Sequence, residues 1–236
     1  MKNFVIGLLC CLAQTICYSQ SANQPKKMFA DTEPLVKQYL IDCNKAWDAK
    51  DEKRARTYYD SINRCITNSY LGNHEFKDLK GKTISLGKMK KPVLITVSAS
   101  WCAPCRAEIP ALNKITKAYK DKIDFIVLFW NTREETEKLA ALYDNAIYIV
   151  PSITQVADDV HEINIGGFKH FRGYPTNYMV TTNKQIVKYD EEGAAVAVNY
   201  VGPDGKSITV TEEQAFNTNY KRLKDDVDFL LSHNDQ

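Results

Sequence analysis

Two cysteines separated by two residues constrain this chain more than any other feature of its sequence. They lie in the stretch Trp101-Cys102-Ala103-Pro104-Cys105, where an apolar run gives way to a helical pattern. A cysteine at the start of a helix meets unpaired backbone N–H groups and the positive end of the helix dipole, which stabilise a thiolate. The second cysteine is close enough to form a disulfide with the first. The pattern therefore predicts a redox-active dithiol.

Two other interpretations of the cysteine pair compete with this one. Half of a zinc site would require a second pair of Cys or His ligands at similar spacing, and we find none in the sequence. We therefore expect neither a metal nor another cofactor at Cys102 and Cys105. A pair of buried structural thiols is the second alternative, and the position at a strand–helix junction favours the redox interpretation over it.

Residues 1–19 have the composition of a secretory signal peptide. Lys2 provides a positive start, the run from Phe4 to Cys17 is apolar, and small residues follow around Ser19. The apolar run is too short and too interrupted for a spanning helix. We expect cleavage after Ser19, export, and a periplasmic or membrane-associated location on the extracytoplasmic side. An uncleaved anchor is the alternative. The cysteines of this run lack the preceding small residue that lipoprotein processing needs.

Removal of this leader changes the cysteine count. The chain has 7 Cys, of which four lie beyond residue 19: Cys43, Cys65, Cys102 and Cys105. An even number of cysteines in an exported protein suggests two pairs. Once Cys102 and Cys105 are paired, Cys43 and Cys65 are the candidates for a structural disulfide. Two buried free thiols are the alternative.

Hydrophobic periodicity predicts two helices before residue 73 and an alternation of strands and helices after it. The apolar positions of 33–47 and 52–66 recur at helical spacing, and the short connection between them predicts an antiparallel pair. From residue 92 the predicted order is strand, helix, strand, helix, hairpin and final helix. This order implies parallel pairing followed by an antiparallel pair, and hence an α/β fold with a central mixed sheet flanked by helices.

Local signals place the individual elements. Thr132 with Glu135, and Thr211 with Gln214, have the spacing of capping boxes at helix starts. Residues 151–173 are expected to contain a helix and a loop at Gly166-Gly167. The other predicted elements are hairpins over 74–86 and 176–189, strands over 92–99, 124–130 and 146–150, extended segments over 194–200 and 207–211, and helices over 102–119, over 133–143 and from residue 211 onward.

Composition limits the classes of function. The 236 residues are 44% hydrophobic and 25% charged, as in ordinary globular proteins, and they suffice for one sizeable domain with an extension. We expect a signal peptide over 1–19, a helical N-terminal extension over 20–72 and one domain over 73–236. The net charge of +2 is too small to indicate a nucleic-acid partner.

Several motifs together resemble a known family. The stretch from Trp101 to Cys105 is followed by Pro110 and later by Gly173-Tyr174-Pro175-Thr176, and this combination resembles the thioredoxin fold. Among its exported members the chain is most similar to thiol–disulfide oxidoreductases of the TlpA/ResA type. The lead-in over 76–86 is similar to the N-terminal hairpin of that group, whereas the predicted helical pair lies outside the resemblance.

The resemblance implies roles for the residues that match its motifs. Cys102 would be the attacking thiol and Cys105 the resolving thiol. Pro175 would be a cis-proline facing the disulfide, which leaves the backbone at Tyr174 available to an extended substrate. An ordinary trans-proline is the alternative.

Three further residues would shape the site around the thiols. Trp101 would pack beside the disulfide, and Pro104 would restrain the dipeptide between the cysteines. Tyr174 would shape substrate access, with an ordinary surface aromatic as the alternative. We therefore count Trp101, Pro104, Tyr174 and Pro175 as candidate substrate-binding residues.

The carboxylate that assists the thiols requires separate treatment. Thioredoxin carries a buried acid six residues before the first cysteine, but Thr96 occupies that position here. The TlpA/ResA group has a Glu three residues after the second cysteine, and Glu108 matches it. One turn along the helix, its side chain can reach back towards the thiols. Burial would raise the pKa of Glu108 into the range useful for proton transfer. A solvated surface Glu is the alternative.

The resemblance implies an extracytoplasmic thiol–disulfide oxidoreductase that reduces protein disulfides through Cys102 and Cys105. Its substrates would include apocytochrome c, which would place the chain in cytochrome c maturation. A membrane thiol transporter of the DsbD/CcdA kind would supply electrons. A disulfide oxidase or isomerase is one alternative, and a non-catalytic binding protein on a thioredoxin-like scaffold is another.

Overall fold

A five-stranded mixed sheet organises the chain in the computed structural model, which describes residues 25–152, 162–201 and 205–234. The predicted signal peptide lies outside these ranges. Within them, every helix is too short or too polar to cross a membrane. The helices are α1 (Glu33–Asp48), α2 (Glu52–Ile66), α3 (Ala103–Tyr119), α4 (Arg133–Ala140) and α5 (Glu212–His233). The strands are β1 (Glu75–Lys77), β2 (Thr83–Ser85), β3 (Val93–Ser98), β4 (Asp124–Phe129), β5 (Ile147–Val150), β6 (Ile163–Ile165), β7 (Phe168–His170), β8 (Thr176–Val180), β9 (Ile186–Asp190), β10 (Ala197–Val201) and β11 (Ser207–Val210).

The strand order in the central sheet is β5-β4-β3-β8-β9. β3 pairs in parallel with β4, and β4 with β5, while β8 is antiparallel to both β3 and β9. This is the predicted mixed arrangement. All six residues of β3 are buried, because helices or hairpins cover both faces of the sheet at this strand. The carboxyl end of β3 leads directly into the cysteine motif at the start of α3.

The two faces of the sheet have separate cores. On one face, α3 and α5 pack against the sheet through a cluster of buried apolar side chains: Leu94, Ile109, Leu112, Ile115, Leu223, Val227 and Leu230. On the other face, the N-terminal segment and the hairpins form a second cluster that includes Phe29, Val36, Ile62, Ile66, Phe76, Val97, Phe168 and Tyr178. The N-terminal helical pair therefore supplies part of one covering layer of the sheet.

Hairpins surround this second core. β1 and β2 pair antiparallel, as the sequence predicts. The described part of 151–173 holds a second hairpin, β6 and β7, turning at the predicted glycines, while residues 153–161 lie outside the described ranges. Gly166 has a φ of +56°, and a Cβ there would lie 2.2 Å from the carbonyl oxygen of Glu75. Only glycine lets the turn approach β1 this closely.

The predicted disulfide between Cys43 and Cys65 is wrong: both are buried free thiols. Cys43 lies in α1, and its Sγ donates a hydrogen bond to the carbonyl oxygen of Ala55 at 3.3 Å. Cys65 lies ten residues after Ala55 in α2, which at helical rise is about 15 Å further along the axis. The antiparallel pair is therefore present, but its register separates the two thiols.

The two predicted capping boxes also differ in outcome. At α5, Thr211 Oγ1 accepts from the Gln214 backbone N–H and Gln214 Oε1 accepts from the Thr211 N–H, so the box is complete. At α4, the Thr132 side chain makes no bond to the helix backbone. The Thr132 hydroxyl donates to Glu135 Oε2 at 3.4 Å, and the same oxygen accepts from Asn131 Nδ2 at 3.1 Å. Thr132 is the N-cap residue of α4 as predicted, but the side-chain bond that the predicted capping box requires of it is absent.

Because Thr211 caps its helix through its side chain and Thr132 does not, replacing them should cost different amounts of stability. Thr211→Ala should lower the free energy of unfolding by about 1 kcal/mol, because it leaves an N-terminal amide of α5 without its partner. Thr132→Ala is the matched control and should cost less than about 0.5 kcal/mol. Urea unfolding of both variants measures the difference. Equal losses in the two variants would contradict the assignment.

Candidate active site

Cys102 and Cys105 form a disulfide at the junction of β3 and α3, with the two Cα atoms 5.3 Å apart. Cys102 is the N-cap residue of α3, and its Sγ accepts a hydrogen bond from the backbone N–H of Cys105 at 3.1 Å. The helix start therefore directs an N–H group at the sulfur of the first cysteine. In the reduced protein this arrangement favours a thiolate at Cys102.

Aromatic side chains surround the disulfide on its exposed side. Trp101 is 50% exposed and makes edge-to-face contacts with Trp130 and Tyr174, with ring centroids 6.0 and 5.4 Å apart. Trp130 and Tyr174 in turn pack against the buried cluster that Ala99 forms with the two cysteines. The predicted aromatic neighbours are therefore at the site, and Trp130 joins them as a residue that sequence analysis missed.

Two prolines lie on the same side of the disulfide. The peptide bond between Tyr174 and Pro175 is cis, as the resemblance implies. A third segment, after β9, meets them: a Cβ on Gly193 would lie 2.7 Å from Pro175 Cγ and 3.1 Å from Pro104 Cβ. The backbone at Gly193 therefore contacts both prolines. Sequence analysis left this segment without a role.

Glu108 is buried beside the thiols, with only 2% of its surface exposed, which rules out a solvated surface position. Its Oε1 accepts hydrogen bonds from Asn177 Nδ2 at 3.2 Å and from the Arg222 guanidinium at 3.0 Å. Within the described part of the chain, Oε2 has no hydrogen-bond partner. Burial raises the pKa of Glu108, and the charge of Arg222 opposes that rise.

Glu108 and Cys105 line one small pocket, together with Thr96, Ser98 and Tyr143. Burial holds the pKa of Tyr143 well above its usual value, so that its hydroxyl stays protonated at neutral pH. The unpaired Oε2 of Glu108 is thus the titratable oxygen in the pocket that contains the resolving cysteine. This placement suits a proton acceptor for the Cys105 thiol.

Thr96 occupies the position where thioredoxin has a buried acid, and it supports Glu108 indirectly. Thr96 and Asn177 face each other across β3 and β8. The Thr96 hydroxyl donates to Asn177 Oδ1 at 2.6 Å. This bond orients the amide so that its NH₂ group points at Glu108. The buried carboxylate therefore lies on α3 in this protein and not on β3. Thr96 of β3 and Asn177 of β8 hold it in position.

Arg222 of α5 links Glu108 to further buried charges, and sequence analysis missed it. Its guanidinium donates to Asp190 Oδ2 at 3.0 Å and lies 3.6 Å from Asp226 Oδ2. Lys188 donates to the other oxygen of Asp226. The available signal was a polar row beside the apolar stripe of the last helix, at helical spacing: Asn219, Arg222 and Asp226.

The structure brings the predicted site residues together around one disulfide, in contact or within one helical turn: Trp101, Cys102, Pro104, Cys105, Glu108, Tyr174 and Pro175. Cys43 and Cys65 lie elsewhere, in two different apolar clusters. Among the residues that the structure describes, no group of three potential metal ligands comes together. The chemistry available at this site is that of thiols, a carboxyl group and a guanidinium.

Part of the chain is similar to known proteins that belong to one family. Residues 82–170 match the model of the thioredoxin family. The mixed sheet flanked by helices, with the disulfide at the start of α3, is a thioredoxin-like fold. It is similar to the thioredoxin-like protein YneN of Bacillus subtilis, with 30% identity over 105 residues that cover 44% of this chain and 59% of YneN. It is also similar to the thiol-disulfide oxidoreductase ResA of Bacillus cereus, with 37% identity over 67 residues that cover 28% of this chain and 37% of ResA.

The comparison with solved structures also gives matches. The exposed lipoprotein thioredoxin Etrx1 of Streptococcus pneumoniae is 17% identical, with a TM-score of 0.41, over 64% of this chain and 99% of that one. The chain spans less than two thirds of the length of the curated relatives named above. The segment that matches the thioredoxin model, residues 82–170, contains both cysteines of the disulfide.

The buried charges of this thioredoxin-fold protein predict a pH dependence of its stability. Burial raises the pKa of Asp226 to about 6. Between about pH 4 and 6 the folded state keeps this proton while the unfolded chain loses it, so stability falls as the pH rises through that window. Asp226→Asn should flatten this part of the curve, leaving a slope of the same sign from Glu108, whose pKa is also raised.

Asp228, on the same helix, is the matched control. Its pKa is lowered by a hydrogen bond from Lys224, so its contribution has the opposite sign and is lost on acidification. Asp228→Asn should leave the loss of stability between pH 4 and 6 in place. Urea unfolding from pH 4 to 7.5 measures both variants. An unchanged slope in Asp226→Asn would contradict the assignment.

Proposed function

We propose that this protein is an extracytoplasmic thiol–disulfide oxidoreductase that reduces protein disulfides. The observation that carries the proposal is the Cys102–Cys105 disulfide at the start of α3, with the buried carboxyl of Glu108 in the pocket of Cys105. The family match supports it, since a ResA relative is named as a thiol-disulfide oxidoreductase. Export is part of the proposal and rests on the signal-peptide pattern of residues 1–19.

The reaction begins with the reduced dithiol. The Cys102 thiolate, stabilised by the N–H group of Cys105, attacks one sulfur of a substrate disulfide. A bond forms between Cys102 and that sulfur, the substrate S–S bond breaks, and the other substrate sulfur leaves as a thiolate. The product of this step is a mixed disulfide between protein and substrate.

The second step releases the substrate. The Cys105 thiol gives its proton to Glu108, and the resulting thiolate attacks the sulfur of Cys102. The Cys102–Cys105 bond forms, and the remaining substrate sulfur leaves as a thiolate. Two electrons have passed to the substrate, and the protein is left in the disulfide form of the structure.

Glu108 suits the proton transfer because burial and hydrogen bonding shift its pKa in opposite directions. Burial favours the neutral acid, whereas Arg222 and Asn177 stabilise the carboxylate through Oε1. The other oxygen is left for the thiol proton. Arg222 is held in turn by Asp190 and Asp226, so it orients Glu108 without titrating.

A reductase in an oxidising compartment needs a source of electrons to return Cys102 and Cys105 to thiols. We propose a membrane thiol transporter of the DsbD/CcdA kind as that donor and apocytochrome c among the protein substrates, which would give the protein a role in cytochrome c maturation. Support for both comes from the resemblance to the TlpA/ResA type. The exposed aromatic rim at Trp101 offers an apolar contact for such partners.

Replacement of each thiol tests the assignment of roles. Cys102→Ser should abolish the catalysis of insulin-disulfide reduction by dithiothreitol, because the nucleophile is lost. Cys105→Ala should accumulate a mixed disulfide, since the second step cannot occur. Cys43→Ala removes a buried thiol outside the site and should keep at least half of the wild-type activity. Insulin turbidity and non-reducing gels provide the readouts.

Retained activity in Cys102→Ser would refute the proposed chemistry. Trapping with Cys105→Ala in the exported fraction of the producing cell identifies the substrates, and absence of the protein from that fraction would refute export. The direction of electron flow is measured by titration against a thiol buffer. A potential near about −270 mV supports a reductase, and one near about −120 mV indicates an oxidase instead.

The carboxyl group predicts a pH dependence of the second step. The rate at which the mixed disulfide resolves should rise with pH through the raised pKa of Glu108, because only the carboxylate accepts the thiol proton. Glu108→Gln should slow resolution by about 10²-fold at neutral pH and remove this limb of the profile. Stopped-flow measurement of the lifetime of the mixed disulfide tests both effects.

Glu212→Gln, on the exposed first turn of α5, is the control and should match the wild type. Arg222→Lys keeps a positive charge but changes the geometry of the pairing, so it should move the midpoint of the limb without removing it. A wild-type profile identical to that of Glu108→Gln would contradict the role of Glu108.

A further inference from the structure

Two backbone segments border the disulfide on the side of Pro175. We call residues 170–175 the docking loop and residues 190–194 the flanking segment. The docking loop carries Tyr174, which contacts the Trp101 ring and packs against the buried cluster that contains the two cysteines. The flanking segment carries Gly193, whose backbone contacts Pro104 and Pro175. A substrate that approaches the disulfide on this side meets both segments.

A buried ion pair joins the two segments. The Arg172 guanidinium binds both carboxylate oxygens of Glu191: Nη2 donates to Oε2 at 2.7 Å, and Nε donates to Oε1. Nε also donates to the hydroxyl of Tyr189 at 3.0 Å. The side chains of Arg172 and Glu191 are only 6% and 12% exposed. A bidentate pair of this kind fixes orientation as well as distance.

Each partner of the ion pair lies two residues before a residue that borders the disulfide. Tyr174 follows Arg172 by two residues, and Gly193 follows Glu191 by two residues. A shift of either partner is therefore transmitted over two residues to the cleft beside the disulfide. The carbonyl groups of the docking loop are fixed from within, since the His170 ring contacts the Arg172 and Gly173 oxygens at 3.0 and 3.2 Å.

The N-terminal helical pair covers this ion pair. The Tyr59 ring of α2 lies over the Arg172 guanidinium, at 5.5 Å from the ring centroid. From α1, Lys37 lies over the Phe171 ring at 5.2 Å, and Glu33 pairs with Lys169 at 3.0 Å. The helices thus contact two residues of the docking loop, Phe171 and Arg172, and Lys169 just before it. An aromatic cover lowers the local exposure to water and strengthens the interaction beneath it.

We propose that Arg172 is a positioning residue for docking of protein substrates, and that the N-terminal helical pair holds it in place through Tyr59. The ion pair sets the separation between the docking loop and the flanking segment. The chemistry at Cys102 does not depend on it, because Arg172 contacts neither thiol in the structure. This inference rests on the proposed function for its consequence, although the positioning itself can be measured without any activity.

Two variants test the proposal by kinetics. Arg172→Met combined with Glu191→Gln removes the pair without leaving a buried lone charge, and Tyr59→Leu removes the aromatic cover. Both should raise KM for insulin about tenfold. The rate of reduced protein with the small disulfide DTNB should stay within twofold of the wild type, because DTNB needs no docking cleft. The redox potential of the Cys102–Cys105 pair should also be unchanged.

Arg56→Met is the matched control. It removes an arginine from the same helix as Tyr59, where Arg56 and Glu52 form a pair with 72% and 70% exposed side chains. Its KM and its DTNB rate should both match the wild type. A parallel loss of insulin and DTNB rates in the test variants would indicate a merely structural role and overturn the proposal.

Hydrogen–deuterium exchange provides a readout that needs no substrate. In both test variants, amides of 170–175 and 190–194 should exchange at least tenfold faster, while those of α3 stay unchanged. Unchanged exchange in these segments, or faster exchange with an unchanged KM, would overturn the proposal. If the double variant fails to fold, Tyr59→Leu decides the matter alone. A wild-type protein that does not reduce insulin would refute the proposed function, and exchange would still decide the role of Arg172.

Discussion

The burial of β3 on both faces is the constraint on which the rest of the structure depends. Its six residues are all buried, so each face of the sheet requires its own apolar cover. α3 and α5 cover one face, and the N-terminal helices and hairpins cover the other. The strand therefore ends at the junction of two layers, where α3 begins at Cys102. The helix start, the disulfide and the aromatic rim all follow from this one position.

Two buried ion pairs then define the surroundings of the disulfide, one behind it and one beside it. Glu108 and Arg222 pair beneath the resolving cysteine, and Arg172 and Glu191 join the two segments that border the cleft. Pairs of this kind contribute little net stability, because desolvation costs about as much as the attraction gains. Their value here lies in geometry. The first pair orients the carboxyl of Glu108 for proton transfer. The second holds Arg172 so that the backbone beside the cleft stays in place.

Much of the fold was predictable because its signals are local. The unbroken β-branched run at β3, the helical spacing in α1 and α2, and the cysteine pair at a helix start each depend on neighbouring residues. The errors concern contacts between elements. Cys43 and Cys65 lie on the expected antiparallel helices, but the register between the helices keeps them apart. Thr132 has the spacing of a cap, yet its hydroxyl donates to the carboxylate of Glu135 and not to the backbone of α4.

The sequence by itself determined the class of the protein and the identity of its thiols, since strand, helix start and cysteine spacing lie within one short stretch. It also pointed to Glu108, through the resemblance. Only the tertiary structure decided the environment of that carboxyl, because its partner Arg222 lies 114 residues further along the chain. It likewise decided that Arg172, Glu191 and Tyr59 meet. Packing of layers around β3 brings these residues together, and no periodicity along the chain encodes such a meeting.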